Sequence, residues 1–206
     1  PARLIARRGA IAGRRFPAAA LPSLGIAGPA EGLDVLRRRA LVGDPSEADL
    51  VGPEYAYRHA LLRDAGYASL GRGERADLHV RLARWLESIA GAMPHTLAAA
   101  IGGQYADALD AAPALASVIG DGLDRSAVAT LAASWLERGA EHAHGQSAHA
   151  AAADALRRAV GLTPEASIVD RARRWRLLGD VQRAIDMETA AQAYRSAIDV
   201  ASATID

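Results

Sequence analysis

The chain has 206 residues, half of them hydrophobic and only 4% aromatic, and its formal net charge is zero. It contains no Cys and no Lys, which excludes disulfides, thiol nucleophiles, zinc–thiolate sites, Schiff-base chemistry and a G-x-x-x-x-G-K-[ST] phosphate loop. Balanced charge gives no overall pull towards nucleic acid or acidic lipid, and no apolar run approaches the ~20 residues that span a bilayer.

All 24 basic residues are therefore Arg, and Asn is missing too. Lys and Asn share AT-rich codons, so the Arg and Ala bias is read as partly genomic. The start, "PARLIARRGA", has no apolar core or cleavage site behind its arginines and is not a convincing signal peptide. It also lacks an initiator Met. The chain is expected to be a fragment of a larger cytoplasmic protein.

In chain order, "ARLIARRGAIAG" places Leu4, Ile5, Ala6, Ile11 and Ala12 on roughly one helical face. Pro17, Pro22 and "GIAGP" break that pattern. "AEGLDVLRRRALV" resumes it with Leu33, Leu36, Ala40 and Leu41. "GDPSEADLVGP" is a polar turn between "ALV" and "EYAYR", which predicts a β-hairpin with a long loop. Helices followed by a two-stranded wing make a winged-helix-like unit, expected over residues 1–70.

Residues 71–206 predict almost only helices. Leu78, Leu82, Trp85, Leu86 and Ile89 form one apolar stripe, ended by "GAMPH". "TLAAAIGGQYADAL" is a further helix, and "DAAPALASVIGDGLD" is a loop or a short helix. "RSAVATLAASWLERGAEHA" and "SAHAAAADALRRAVGL" form an antiparallel pair, stopped by Gly161 and Pro164. "EASIVDRARRWRLLGDVQRA" and "METAAQAYRSAIDVASA" form a second.

The two pairs resemble tetratricopeptide repeats, which carry W-x2-L-G-x2-Y, then A-x3-F-x2-A, then Pro. Trp135, Gly139, Ala152, Leu156, Ala159 and Pro164 fit in the first pair. In the second, Trp175, Leu178 and Gly179 fit, as do Ala190, Tyr194 and Ala197. The two Trp are 40 residues apart, against ~34 in the family, so the repeats are degenerate. An unrelated helical bundle is the other reading. The expected fold class is mainly α: a winged-helix-like unit with a short β-hairpin, then tetratricopeptide-like antiparallel hairpins in an α-solenoid.

The stretch "YAYRHALLRDAGYASLGRGERADLH" carries a second resemblance. Tyr55, Tyr57, Arg58, His59, Leu61, Leu62, Arg63, Asp64, Tyr67 and Leu70, then Leu78, His79, Trp85, Leu86 and Glu87, match a pattern of the bacterial STAND signal-transduction ATPases. Gly66 departs from it, standing where the family has Ala or Val. The resemblance implies an AAA+-like core before this region, a winged-helix segment and tetratricopeptide-like repeats. Many such proteins carry a class III adenylate/guanylate cyclase domain, and others a LuxR-type DNA-binding domain. Here it implies no cofactor in the chain itself, with ATP and Mg belonging to the parent.

The resemblance makes Arg58, His59 and Arg63 part of an interdomain joint, with nucleotide sensing by Arg58 or Arg63 as the other reading. Tyr55 and Tyr57 are expected to pack on the winged helices, and Leu61, Leu62, Ala65 and Leu70 to anchor the next helix. Residues 1–43 hold eight Arg against Glu31 and Asp34. Arg37, Arg38 and Arg39, on what would be the recognition helix of that winged-helix-like unit, could touch DNA phosphates, dock the parent's core, or form a solvated face.

Aligned on Trp175, Arg173, Arg176, Asp180 and Arg183 fall on the inner side of a repeat stack. There they could clamp an acidic peptide or simply form a solvated stripe. His142, His144 and His149 are the only His cluster. His142 and His149 would stand ~10 Å apart along one helix, and no fourth ligand follows, so no metal site is expected. Asp107 and Asp110, Asp121 and Asp124, and Glu137 and Glu141 have the spacing of any wet helix, and no catalytic residue is assigned. The expected partner is a protein, a peptide or the parent's own ATPase core. Neither a membrane nor, as principal partner, nucleic acid is expected.

Overall fold

Buried aromatic and branched side chains hold the first 57 residues together: Ile5, Ile11, Phe16, Leu33, Leu36 and Tyr57 all belong to one hydrophobic cluster. The computed structural model describes residues 1–48, 52–91, 94–113 and 122–203. Helix α1 (Ala2–Arg8) runs into a 3-10 turn (Gly9–Ala12), followed by strand β1 (Arg15–Pro17) and a second 3-10 turn (Ala18–Ala20). Helix α2 (Ala30–Arg38) precedes strands β2 (Ser46–Ala48) and β3 (Gly52–Ala56), and α3 (Ala60–Ala68) follows.

The sheet is antiparallel with order β1-β3-β2. Phe16 pairs with Tyr55, and its ring contacts both Tyr55 and Tyr57, at 6.0 and 5.3 Å between centroids. The expected hairpin is present, with shifted strands. "ALV" contributes a single bridge, Val42 to Tyr57. Pairing resumes at Ser46, after Pro45, which has no N–H to give a ladder. The joining residues 49–51 lie outside the described part. The third strand, β1, falls where Pro17 suggested only a break. An edge strand tolerates that proline, because its outer side needs no ladder donor.

Among the described residues six helices follow: α4 (Arg72–Ala90), α5 (Pro94–Ala111), α6 (Arg125–Gly145), α7 (His149–Leu162), α8 (Ile168–Gln182) and α9 (Met187–Ser202). Each packs against the next, so the described residues are mainly helical with one small sheet. Two starts are capped by carboxylates: Asp124 accepts from the Ala127 N–H at 2.7 Å, and Asp186 from the Thr189 N–H at 2.9 Å. The amides of Thr189 and Glu188 hold the Asp186 carboxyl below its usual range. Residues 114–121 of the expected loop or short helix, including Asp121, lie outside the described part.

Helices α5 and α6 meet backbone to backbone. A Cβ on Gly102 would lie 2.6 Å from the Leu136 nitrogen, and one on Gly139 2.7 Å from the Ala99 nitrogen. Gly139 therefore serves α5, not the partner helix of its own pair. Helix α4 is buried on two sides. Leu78 and Leu82 join the N-terminal cluster, while Ala76, Val80 and Ala83 join the core of α4, α5 and α6. A third cluster links Ala140, Ala152 and Leu156 to Leu178, Val181 and Ala193, so α6 and α7 nest against α8 and α9.

Candidate interaction sites

Helix α2 buries Leu33 and Leu36 and leaves Arg37, Arg38 and Arg39 exposed. Arg37 is taken up by Asp44, at 2.6 Å, and by Asp34, at 3.5 Å. The hydrogen bond and charge of Asp44 raise Arg37, and Arg37 lowers Asp44 in return. Arg7 and Arg8 both reach Glu74, and Arg15 reaches Glu54. Half of the positive excess of residues 1–43 is thus answered from later in the chain, by Asp44, Glu54 and Glu74. No ion pair involves Arg38 or Arg39 among the described residues.

At the joint, the Arg58 N–H donates to the Leu41 carbonyl at 3.1 Å and closes the base of the wing, with its side chain exposed. His59 is the N-cap of α3 in extended conformation, and its side chain makes no capping bond. Arg63 donates to the Ala10 carbonyl at 3.3 Å, pairs with Asp64 at 3.1 Å, and lies over the Tyr67 ring. The expected anchors divide. Leu70 is buried and Leu62 half-buried, but Leu61 is 79% exposed and Ala65 is exposed too. Helix α3 rests on α1 through Leu62 and Gly66, which turns the Leu61 and Ala65 side outward.

A buried histidine that sequence reasoning used only as part of a motif lies next to this joint. His79 is 2% exposed. Its Nδ1 lies 2.7 Å from Gln104 Oε1, and its Nε2 lies 3.2 Å from the Tyr67 hydroxyl. A carbonyl oxygen only accepts, so Nδ1 carries the proton and Nε2 accepts from Tyr67. Burial pushes His79 below the usual imidazole value; Gln104 and Asp107 oppose that shift, and Arg63 and Arg75 reinforce it. The sole sequence signal was the "LH" pair in α4.

On α8, Arg173 pairs with Asp170 and Glu137, and Arg176 with Asp180 at 3.2 Å. Asp180 also accepts from the Tyr194 hydroxyl at 2.8 Å, and Arg183 bears on the same hydroxyl. Arg173 and Arg176 line one groove between α8 and α9; Asp180 and Arg183 do not. Sequence reasoning missed Arg174, which is buried and donates to Glu137 Oε2 at 2.9 Å and to Thr163 Oγ1 at 2.7 Å. Glu137 therefore links α6 to α8 from the interior, while Glu141 stays exposed. A partner 37 residues away leaves no periodic trace in the sequence.

The turn after α6 folds His149 back on His144, bringing their Nδ1 atoms to 3.1 Å, while His142 is exposed elsewhere on α6. Among the described residues no three His, Asp or Glu gather as metal ligands. Asp107 and Asp110 share Arg158 of α7, at 2.9 and 3.4 Å, and Asp124 caps α6. These carboxylates hold helices together. Among the described residues no helix is long and apolar enough to cross a membrane. Comparison with protein-family models, with curated proteins and with solved structures finds no match.

Proposed function

We propose that this chain is a non-catalytic interaction and regulatory module of a larger STAND-type signal-transduction ATPase, in a group whose members include proteins fused to class III nucleotide cyclases. The observation that carries this reading is the packing of the last hairpin. A Cβ on Gly179 would lie 2.6 Å from the Tyr194 ring, so the W-x2-L-G glycine is the notch that seats the aromatic of the second helix. The antiparallel sheet of order β1-β3-β2 supports the winged-helix-like part.

Such a module acts by differential affinity. Binding a partner, or the parent's own core, better in one state than in another shifts the balance between them. ATP and Mg belong to that core, and the setting is cytoplasmic. The test has two steps. The reading frame upstream of Pro1 is expected to encode a phosphate-loop ATPase. That ATPase, purified, is expected to change its hydrolysis rate saturably when this chain is added. An upstream frame without a phosphate loop, or an ATPase that neither binds the chain nor responds to it, overturns the proposal.

A DNA-contacting regulator is the second reading, favoured by the exposed Arg38 and Arg39 on α2. It requires duplex DNA binding that falls steeply with salt and loses that slope in Arg37→Ala, Arg38→Ala and Arg39→Ala. No binding at low salt removes it.

A further inference from the structure

Gln182, at the end of α8, is 6% exposed, and its Oε1 is buried with no hydrogen-bond partner among the described residues. Buried polar atoms are almost always bonded, so an exception asks for a cause. The repeat pattern supplies one. Counted from Trp175 through Leu178 and Gly179, W-x2-L-G-x2-Y puts its tyrosine at residue 182. Gln stands there instead, and it lines an opening of about 330 Å³, large enough for a small ligand.

Three helices build the walls. Trp175, Leu178 and Gln182 come from α8, Ala193 and Ser196 from α9, and Arg157 from α7. Leu178 and Ala193 also belong to the cluster that joins the last two hairpins, and Trp175 packs against it. The opening is therefore part of the seam between those hairpins.

The chemistry of the lining selects the occupant. Arg157 is its one charged residue, and Asp154 already pairs with it. With no carboxylate in the lining, a cation finds no partner there, and an anion finds only an arginine already taken. The indole of Trp175 offers a flat apolar wall against which another ring stacks or stands edge-on. The Gln182 amide turns about a broad terminal torsion, so its oxygen can meet an O–H or N–H that enters the opening. We infer that this opening binds a neutral aromatic ring carrying one hydrogen-bond donor, a phenol or an indole, with Trp175 against the ring and Gln182 Oε1 accepting from the donor. The site is independent of the proposed regulatory role.

The test is a titration of the ¹⁵N-labelled full chain with p-cresol, followed at the indole N–H resonances of Trp85, Trp135 and Trp175. A single ring is expected to bind at about 1 mM, so the titration runs to about 5 mM. The Trp175 resonance is expected to shift saturably while the other two stay in place. Toluene has the same shape without the hydroxyl and is expected to bind about 3- to 10-fold more weakly. N-acetyl-tyrosinamide separates two sources of the same chemistry. Binding as tight as that of p-cresol assigns the ring to a tyrosine of another chain, and its exclusion assigns it to a free phenol.

Gln182→Tyr restores the ring of the pattern, and is expected to lose p-cresol binding while keeping or raising the melting temperature. Gln182→Leu keeps the space without the acceptor, and is expected to bind p-cresol no better than toluene. An unmoved Trp175 resonance in the wild type overturns the inference, as do equal shifts at all three tryptophans. So does p-cresol binding that survives in Gln182→Tyr, and so does a preference for p-cresol over toluene that survives in Gln182→Leu.

Discussion

Gly66 shows how one contact reverses the sign of a substitution. By helix propensity alone, Ala at this position of α3 would be better by up to ~1 kcal/mol, and the resembling family has Ala or Val there. The structure places α3 across α1 so closely that a Cβ at residue 66 would lie 2.4 Å from the Ala6 carbonyl oxygen. That oxygen is backbone within a helix and cannot swing aside as a side chain can. Arg63, one turn earlier, donates to the Ala10 carbonyl and fixes the same approach. Gly66→Ala is therefore expected to destabilise the chain by about 1–3 kcal/mol through overpacking, read as a lower urea midpoint at unchanged slope. A raised midpoint would mean that propensity wins and that α1 and α3 do not meet this closely.

At the scale of elements, long apolar stripes were legible and short or two-sided elements were not. The stripe from Leu78 to Leu86 located α4 because leucine and tryptophan weigh heavily in any periodicity. Its second buried face, Ala76, Val80 and Ala83, is made of small residues that serve equally well on a surface. Three-residue β1 has no period to read, and Pro17 argued against it. Among the candidate sites, Arg173 and Arg176 were found together because they share a helix face. Arg174 with Glu137, and Tyr67 with His79 and Gln104, join different elements and could not be. The last of these contacts ties α3, α4 and α5 together and titrates. A folded-state value below that of a free imidazole means that, as pH falls below about 6.5, the unfolded chain binds a proton that the folded chain does not. The stability due to neutral His79 is fully present above about pH 6.5 and is lost as pH falls towards the folded value, by at most about 1.4 kcal/mol per pH unit. Urea melts at pH 7.5 and 5.5 are expected to show this slope, and His79→Phe, which cannot titrate, to lack it. An identical slope in the variant would assign the pH dependence to other groups.

For the whole molecule, the issue is whether the sheet-bearing part and the helical array are separable, since an expected boundary at residue 70 would allow either to stand alone. Leu70 is buried within the N-terminal cluster, and Leu78 and Leu82 of α4 complete that cluster from beyond the boundary. The opposite side of α4 carries Ala76, Val80 and Ala83 into the helical core. Arg7 and Arg8 of α1 also reach across to Glu74 at the start of α4. A rigid helix with a core on each side cannot unfold for one and remain folded for the other, so the two parts are expected to lose structure together. The three tryptophans are placed to report this. Trp85 packs against the N-terminal cluster, Trp135 against the middle one and Trp175 against the last. Variants keeping one Trp each, the others replaced by Phe, are expected to give urea transitions whose fluorescence midpoints coincide with that of the far-ultraviolet circular dichroism of the same variant. A Trp85 transition separated from that of Trp175 would show two units joined by a helix that frays between them.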